Sequence, residues 1–468
     1  MKAVILAAEE ENRFFAGGIN NPKLLVMLGG LSLLERAVRS SARAGLSEFL
    51  IVVGARGEHI RRTSESRLSD LPITWLTDDN WRSGNGASIL AAAPFLGREH
   101  FLVMMADHLI LPQILRHLLE PCLDLSTTLM AIDRKRDQFS DAENAMKVRL
   151  AGGWITELGK SLDPYDGVDI GTAVCSPNFL DALRQEAERQ NGDCSYYDGM
   201  QKLAAAGQLA AYDIGKALWK GVDSPVALKA AETILFDSLR KPTDGFISRH
   251  LERHLSLAVT RVLMRTSVTP NVVTLAVICI GMVAAFLFAQ LGYGPKVLGA
   301  LVFWCASFLD GCDGELARLK FLESRLGGWL DLWADNLVHI MVFMGIGIGL
   351  WRDSRDAQWI LLGIIAALGV FFSVAWVSWA VLRKKRGQGP LFTSVVAGEL
   401  ASRGSWTARL TQFADALSRR DFIFGIIFLA LLGLLPAFLW AAAIGSHTYW
   451  IVLVLTDWKR RQASTGEA

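Results

Sequence analysis

The chain has 468 residues, 51% of them hydrophobic and 20% charged, with 48 Lys and Arg against 46 Asp and Glu for a formal net charge of +2. A mean hydropathy of +0.30 excludes an ordinary soluble enzyme and places part of the chain in lipid, and the length allows two domains. No basic stripe with interleaved aromatics appears, so no nucleic-acid partner is expected, and six cysteines without a C-x-x-C pair give no zinc or thiol-redox signature.

Residues 1–235 alternate short apolar runs with helical patterns, which predicts an α/β domain with a mainly parallel sheet. Strands are expected at Ala3–Ala7, Phe49–Val53, Ile73–Leu76, Phe101–Met105 and Thr127–Ile132, with helices such as Ser32–Ala44 and Ala87–Ala93 between them. In residues 236–265, Phe246, Ile247, Leu251, Leu255, Ala258 and Val262 recur near helical spacing, with Arg249, Arg253 and Arg261 elsewhere. This predicts an amphipathic helix lying on the membrane face.

Residues 266–463 hold six apolar stretches, near Asn271–Gln290, Lys296–Asp310, Gly328–Trp351, Gln358–Leu382, Phe422–Trp440 and Ala441–Trp458, and residues 464–468 form a tail. Six membrane spans are therefore expected. Arg383, Lys384, Lys385, Arg386, Arg419, Arg420, Lys459, Arg460 and Arg461 fall on one side, which the excess of basic residues makes cytoplasmic. The N-terminal domain and a loop from Gly311 to Leu326 share that side. Arg383, Lys384, Arg419 and Arg420 suit either an acceptor phosphate or anionic lipid.

One stretch of the apolar region carries four carboxylates: D-G-C-D-G-E-L-A-R from Asp310, eight residues, then G-G-W-L-D-L-W-A-D ending at Asp335. At about 100° per residue, Asp310, Asp313, Gly314, Ala317 and Arg318 share a broad helical face. Gly327, Asp331 and Asp335 recur one turn apart on a second. Four anions facing one cavity in a low-dielectric setting persist only if neutralised, and a divalent cation held by carboxylate oxygens, Mg²⁺ or Mn²⁺, is the expected partner. The small residues leave room for a flat group, and Arg318 can meet a phosphate.

These residues match D-x2-D-G-x2-A-R-x8-G-x3-D-x3-D, the signature of the CDP-alcohol phosphotransferase family, at all eight fixed positions. The resemblance implies transfer of a substituted phosphate from a CDP-alcohol donor to an acceptor hydroxyl, with release of CMP. By the same likeness Asp310, Asp313 and Asp331 would hold metal, Asp335 would be metal-bound or act as the base, and Gly314, Ala317, Arg318 and Gly327 would bind the nucleotide. P-N-V-V-T at Pro270 to Thr274 also occurs at this point in the family, and Asn271 and Thr274 are assigned to the nucleotide with it.

The start, M-K-A-V-I-L-A-A with Arg13, Pro22 and Lys23, resembles the nucleotidyltransferase opening L-A-A-G-x-G-x-R…P-K, but Glu9 and Glu11 stand where that pattern has glycines. R-S-G-N-G-A-S at Arg82 to Ser88 resembles the base-recognition loop, Asp107 in M-M-A-D-H the metal acid, and Lys160 a further matching residue. The final W-x-D-V-D reads Trp219, Lys220, Gly221, Val222, Asp223, so one carboxylate is missing. Two readings stay open. An active cytidylyltransferase would bind CTP with Asp107 on metal, Arg13, Lys23, Lys160 and Asp223 near the phosphates, and Asn85 with Gly86 on the base; a relict domain would keep the fold alone.

Taken whole, an α/β nucleotidyltransferase-like (Rossmann-like) domain fused to an all-α six-span CDP-alcohol phosphotransferase domain resembles the bifunctional inositol-1-phosphate cytidylyltransferase and di-myo-inositol phosphate phosphate synthase family. That likeness implies a CDP-inositol type donor, a phosphorylated polyol acceptor and a homodimer. A lipid headgroup synthase using a CDP-diacylglycerol type donor, with a relict regulatory N-terminal domain, is the alternative.

Overall fold

A computed structural model describes residues 1–8, 22–54, 56–121, 124–135, 145–239, 252–383 and 422–465. The chain forms two compact units, Met1–Asp237 and Ser238–Ala468.

In the first unit a nine-stranded sheet runs in the order Ile73–Thr77, Glu48–Val53, Lys2–Ala7, Phe101–Met105, Gly167–Cys175, Thr128–Asp133, Leu209–Asp213, Trp154–Gly159, Lys147–Ala151. The first four are mutually parallel. The apolar runs of the three inner ones are buried on both faces, as crossover helices on a parallel sheet require, while the edge strand Ile73–Thr77 is half-exposed. The expectation of a mainly parallel sheet holds for this half and for the pair Thr128–Asp133 with Leu209–Asp213, while the remaining pairings are antiparallel. Gly167–Cys175 enters antiparallel to both neighbours, separating Thr128–Asp133 from the parallel set. The far edge is a hairpin turning at Gly152 and Gly153, both at positive φ, which the residue type allows without strain.

Ser32 caps the helix Leu33–Ala44 through a reciprocal exchange with Glu35. A small antiparallel pair joins Trp219–Gly221 to His108–Ile110, setting Gly221 opposite His108.

The second unit contains five helices long and apolar enough to cross a membrane among the described residues: Pro270–Phe288, Tyr293–Lys320, Arg325–Ser354, Gln358–Arg383 and Leu435–Thr465, the last through its Leu435–Leu455 portion. A sixth apolar helix, Phe422–Leu431, is described over 10 residues. Val277, Ala284, Phe288, Phe303, Val342 and Ile346 form the heart of the buried core. Many other apolar side chains on these helices face outward, as lipid exposure allows.

Two expectations change here. The fifth span does not run from Phe422 to Trp440: the chain turns after Leu431, where Gly433 adopts a φ of +67° and Pro436 sits in the first turn of the next helix, a stop and a start that the two residues favour. The expected Ala441–Trp458 span is accordingly part of Leu435–Thr465. No loop runs from Gly311 to Leu326; helix continues to Lys320 and resumes at Arg325, because the polar residues there face a site rather than lipid.

The juxtamembrane helix is described from Arg253 to Leu263. It buries Arg253, Ser256, Leu257 and Thr260 and leaves Val262 65% exposed, so its polar stripe, not its apolar one, packs inward. The cause is Glu315, which is completely buried. Arg253 Nη1 donates to Glu315 Oε1 at 2.8 Å, Ser256 Oγ to the same oxygen at 2.7 Å, and Thr260 Oγ1 to Oε2 at 2.7 Å. A buried carboxylate requires such donors. The segment before Glu252, with Phe246, Ile247, Arg249 and Leu251, lies outside the described residues.

Candidate functional site

Tyr293–Lys320 supplies Asp310, Asp313, Gly314, Ala317 and Arg318, and Arg325–Ser354 supplies Gly327, Asp331 and Asp335. Carboxylate oxygens of Asp310, Asp313 and Asp331 all lie within 4.8 Å of one another. Asp310 and Asp313 are 7% and 4% exposed while Asp331 is exposed, so two carboxylates stand inside the helix packing and one at its open edge. Three hard oxygen donors at that separation fit a divalent cation such as Mg²⁺.

Asp335, grouped with these three in the sequence, stands outside that mutual cluster. It is exposed, and its Oδ1 lies 3.6 Å from His339 Nδ1 one turn on. His339 packs edge-on against Phe303, with centroids 5.7 Å apart, which fixes the ring beside the carboxylate. Gly314 and Gly327 keep the surface low. A Cβ on Gly314 would come 3.3 Å from Arg318 Nη1, and one on Gly327 would come 3.4 Å from Asn271 Oδ1.

The Pro270–Phe288 helix thereby enters the site. Thr274 Oγ1 donates to Asp313 Oδ2 at 2.5 Å. Thr274, read from the sequence as a nucleotide residue, sets its hydroxyl on a carboxylate of the cluster, the place an outer partner of a metal ligand would take. Arg383 stacks over Trp379, 5.0 Å from the ring centroid. Lys384, Arg419 and Arg420 lie outside the described residues, as do Arg13, Glu9 and Glu11.

In the first unit the carboxyl ends of the parallel strands, where open α/β sheets bind ligands, border a cavity of about 410 Å³ lined by Leu6, Ala8, Trp81, Arg82, Asn85, Ser88 and Met105. Asn85 does line it, yet its Oδ1 accepts from the Tyr196 N–H at 2.7 Å. Gly86 packs on a backbone: a Cβ there would stand 2.7 Å from the Cys194 carbonyl oxygen, which instead accepts from the Gly86 N–H at 3.0 Å. Lys160 and Asp223 are exposed, and no hydrogen bond or ion pair brings either to the cavity residues among the described contacts.

Lys23 and Asp107, expected to serve phosphate and metal, are joined to each other as a buried ion pair. Asp107 also hydrogen-bonds His108 Nδ1 at 2.7 Å. Burial alone would push the Asp107 carboxyl up, but His108 and Lys23 outweigh it and hold it below the usual carboxylate range. Nearby, burial pushes Asp169 up to about 6 against the Gly171 N–H, the Tyr197 hydroxyl at 2.9 Å and the charge of His108. Asp169 and Tyr197 gave no signal in the sequence, while His108 and Trp219 appeared there only as parts of the M-M-A-D-H and W-x-D-V-D matches.

Residues 3–140 match the family described as MobA-like NTP transferase domain, and residues 267–402 match CDP-alcohol phosphatidyltransferase. Fold and site together define an integral membrane enzyme of the CDP-alcohol phosphotransferase class carrying an N-terminal nucleotidyltransferase-like domain. A protein of Rubrobacter xylanophilus named bifunctional IPC transferase and DIPP synthase is 36% identical over 350 residues, covering 74% of this chain and 77% of its own. One of the same name from Aquifex aeolicus is 27% identical, covering 79% and 82%. The solved inositol-1-phosphate CTP transferase from T. maritima is 25% identical with a TM-score of 0.44, covering 50% of this chain and 94% of its own. The chain belongs to the bifunctional IPC transferase and DIPP synthase family.

Proposed function

We propose that the membrane unit joins a CDP-activated polyol of the CDP-inositol type to a hydroxyl of an inositol phosphate type acceptor and releases CMP. The observation that carries this is the convergence of the Asp310, Asp313 and Asp331 carboxylates within 4.8 Å; the polyol assignment rests on the names of the relatives. Asp310, Asp313 and Asp331 hold the cation, Mg²⁺ or Mn²⁺. When bound there, the cation neutralises the donor diphosphate and the charge that builds on the leaving phosphate.

Thr274 keeps the Asp313 carboxylate turned to the site. Gly314, Ala317 and Gly327 leave a shallow surface for the cytidine, with Asn271 at its edge, and Arg318 meets a phosphate. Asp335, outside the cluster and beside His339, takes the proton of the acceptor hydroxyl. The acceptor oxygen forms the new bond to the alcohol-bearing phosphorus, the bond from that phosphorus to the bridging oxygen breaks, and CMP departs. The basic residues at the ends of the spans set this face toward the cytoplasm. A homodimer is the assembly we propose on family likeness, to be checked by the mass of the detergent-solubilised protein.

The experiment is product identification. The purified protein is given CDP-inositol with labelled inositol phosphate, or CDP-diacylglycerol with the same acceptor. A labelled phosphodiester and equimolar CMP from the first pair are expected; turnover of the second pair alone selects the lipid-headgroup reading.

A further inference from the structure

The likeness to nucleotidyltransferases calls for a divalent cation at Asp107, with a second carboxylate from the strand that ends at Gly221. The residues present do not fit it. Both Asp107 oxygens are engaged: Oδ1 with His108 Nδ1 at 2.7 Å and Oδ2 with Lys23 Nζ. One of the pattern's two carboxylate positions is Gly221, which has no side chain, and a Cβ there would stand 3.2 Å from His108 Nε2. His108 fills that position from the paired strand, its ring stacked on Trp219 at 5.8 Å and 4° between planes. On its other side Gly171, at a φ of +80°, allows the ring in; a Cβ would come 3.1 Å from His108 Cδ2.

The remaining carboxylates do not compensate. Asp169 accepts from the Gly171 N–H at 3.1 Å and from the Tyr197 hydroxyl at 2.9 Å, one bond to each oxygen, and Asp223 joins no group of three metal-ligating side chains among the described residues. Among the described residues the three-carboxylate set is the one in the membrane unit, not one here. A dication approaching Asp107 would meet the Lys23 ammonium and the imidazole on either side of a single carboxylate whose negative charge they already satisfy.

We propose that in this chain Lys23 and His108 take the place of the divalent cation at Asp107, so that the N-terminal domain binds none. The metal-dependent transfer that makes the activated donor then falls to a separate nucleotidyltransferase. In that reaction an alcohol phosphate oxygen bonds to the α-phosphorus of CTP, the bond to the β,γ-diphosphate breaks, and pyrophosphate leaves. This consequence rests on the CDP-linked donor proposed above; the claim about Asp107 does not.

The test counts Mn²⁺ by electron paramagnetic resonance on the full-length protein. Asp107→Asn is expected to leave stoichiometry and affinity as in the wild type, and the triple variant D310N/D313N/D331N to bind no Mn²⁺ at millimolar concentration. Loss of one equivalent in Asp107→Asn, or one equivalent kept by the triple variant, overturns the proposal. In parallel, wild-type protein given CTP, inositol phosphate and Mg²⁺ should release no pyrophosphate while releasing CMP from a preformed CDP-inositol donor. Pyrophosphate release at a comparable rate refutes it, whereas absence of CMP release from the preformed donor is the separate failure of the proposed function.

Discussion

Removing the Glu315 carboxylate probes the join between the juxtamembrane helix and the helix that carries Asp310 and Asp313. Glu315 is completely buried and accepts three hydrogen bonds, one of them from Arg253, whose side chain is 10% exposed. Glu315→Ala leaves that guanidinium, two hydroxyls and a cavity behind. Breaking one partner out of a buried ion pair costs about 3–5 kcal/mol. At about 2–4 °C per kcal/mol for a unit of this size, the midpoint falls by about 6–20 °C. The double variant Arg253→Met with Glu315→Leu replaces the pair by apolar groups of similar volume and should recover most of that loss. Thermal unfolding of the intact protein in detergent, followed by a fluorescent probe of buried thiols such as Cys312, reads both. A single variant that shifts the midpoint by less than about 2 °C, or a double variant no better than the single, refutes the view that this carboxylate locks the two helices together.

Thr274→Val removes the hydroxyl on Asp313 and should raise half-saturating Mg²⁺ by about 10–100-fold, in the range of outer partners of metal ligands, with maximal CMP release nearly kept; an unchanged Mg²⁺ curve argues against the orienting role. Asp335→Asn should lower kcat by about 10²–10⁴-fold and leave Mn²⁺ affinity in place, since Asp335 lies outside the three-acid cluster; equal loss of both would make it a ligand instead. Asp169 titrates near 6 rather than 3.8, so the folded domain holds a proton that the unfolded chain has lost. Its contribution is full below about pH 4 and is lost as pH rises through about 6, roughly 3 kcal/mol in all. Hydrogen exchange along Gly167–Cys175 in the intact protein, corrected for intrinsic rates, should show protection falling over that window, and Asp169→Asn should flatten the profile.

Much of the fold was legible because periodicity and burial agreed. The runs at Lys2–Ala7, Glu48–Val53, Ile73–Thr77 and Phe101–Met105 are apolar and short, and each became a parallel strand within a residue or so of its expected bounds. Gly167–Cys175 was not legible. It is buried on both faces, so it shows no alternation. The hairpin at Gly152 and Gly153 left a turn signal that was passed over. In the membrane unit, the loop bounds from Gly311 to Leu326 were too wide, since the residues to Lys320 line the helical face that the aspartate spacing had already shown. That Glu315 draws in the polar stripe of the juxtamembrane helix is a contact between distant segments, which periodicity does not encode. The spacing of the aspartates carried three of the four acids into one cluster, but that Thr274 would turn to Asp313, or that Lys23 and His108 would close on Asp107, depends on contacts between segments far apart in the chain, which spacing does not encode.

The central claim is that Asp310, Asp313 and Asp331 hold a divalent cation on which CMP release depends. The most direct measurement is the rate of CMP release from CDP-inositol and inositol phosphate as free Mg²⁺ is titrated, in wild type and in Asp331→Asn, the exposed ligand whose loss disturbs packing least. Saturable dependence on Mg²⁺, complete loss with chelator, and a curve displaced beyond reach in the variant are the predicted results. Release that continues in chelator, or an Asp331→Asn curve that overlays the wild type, contradicts the claim.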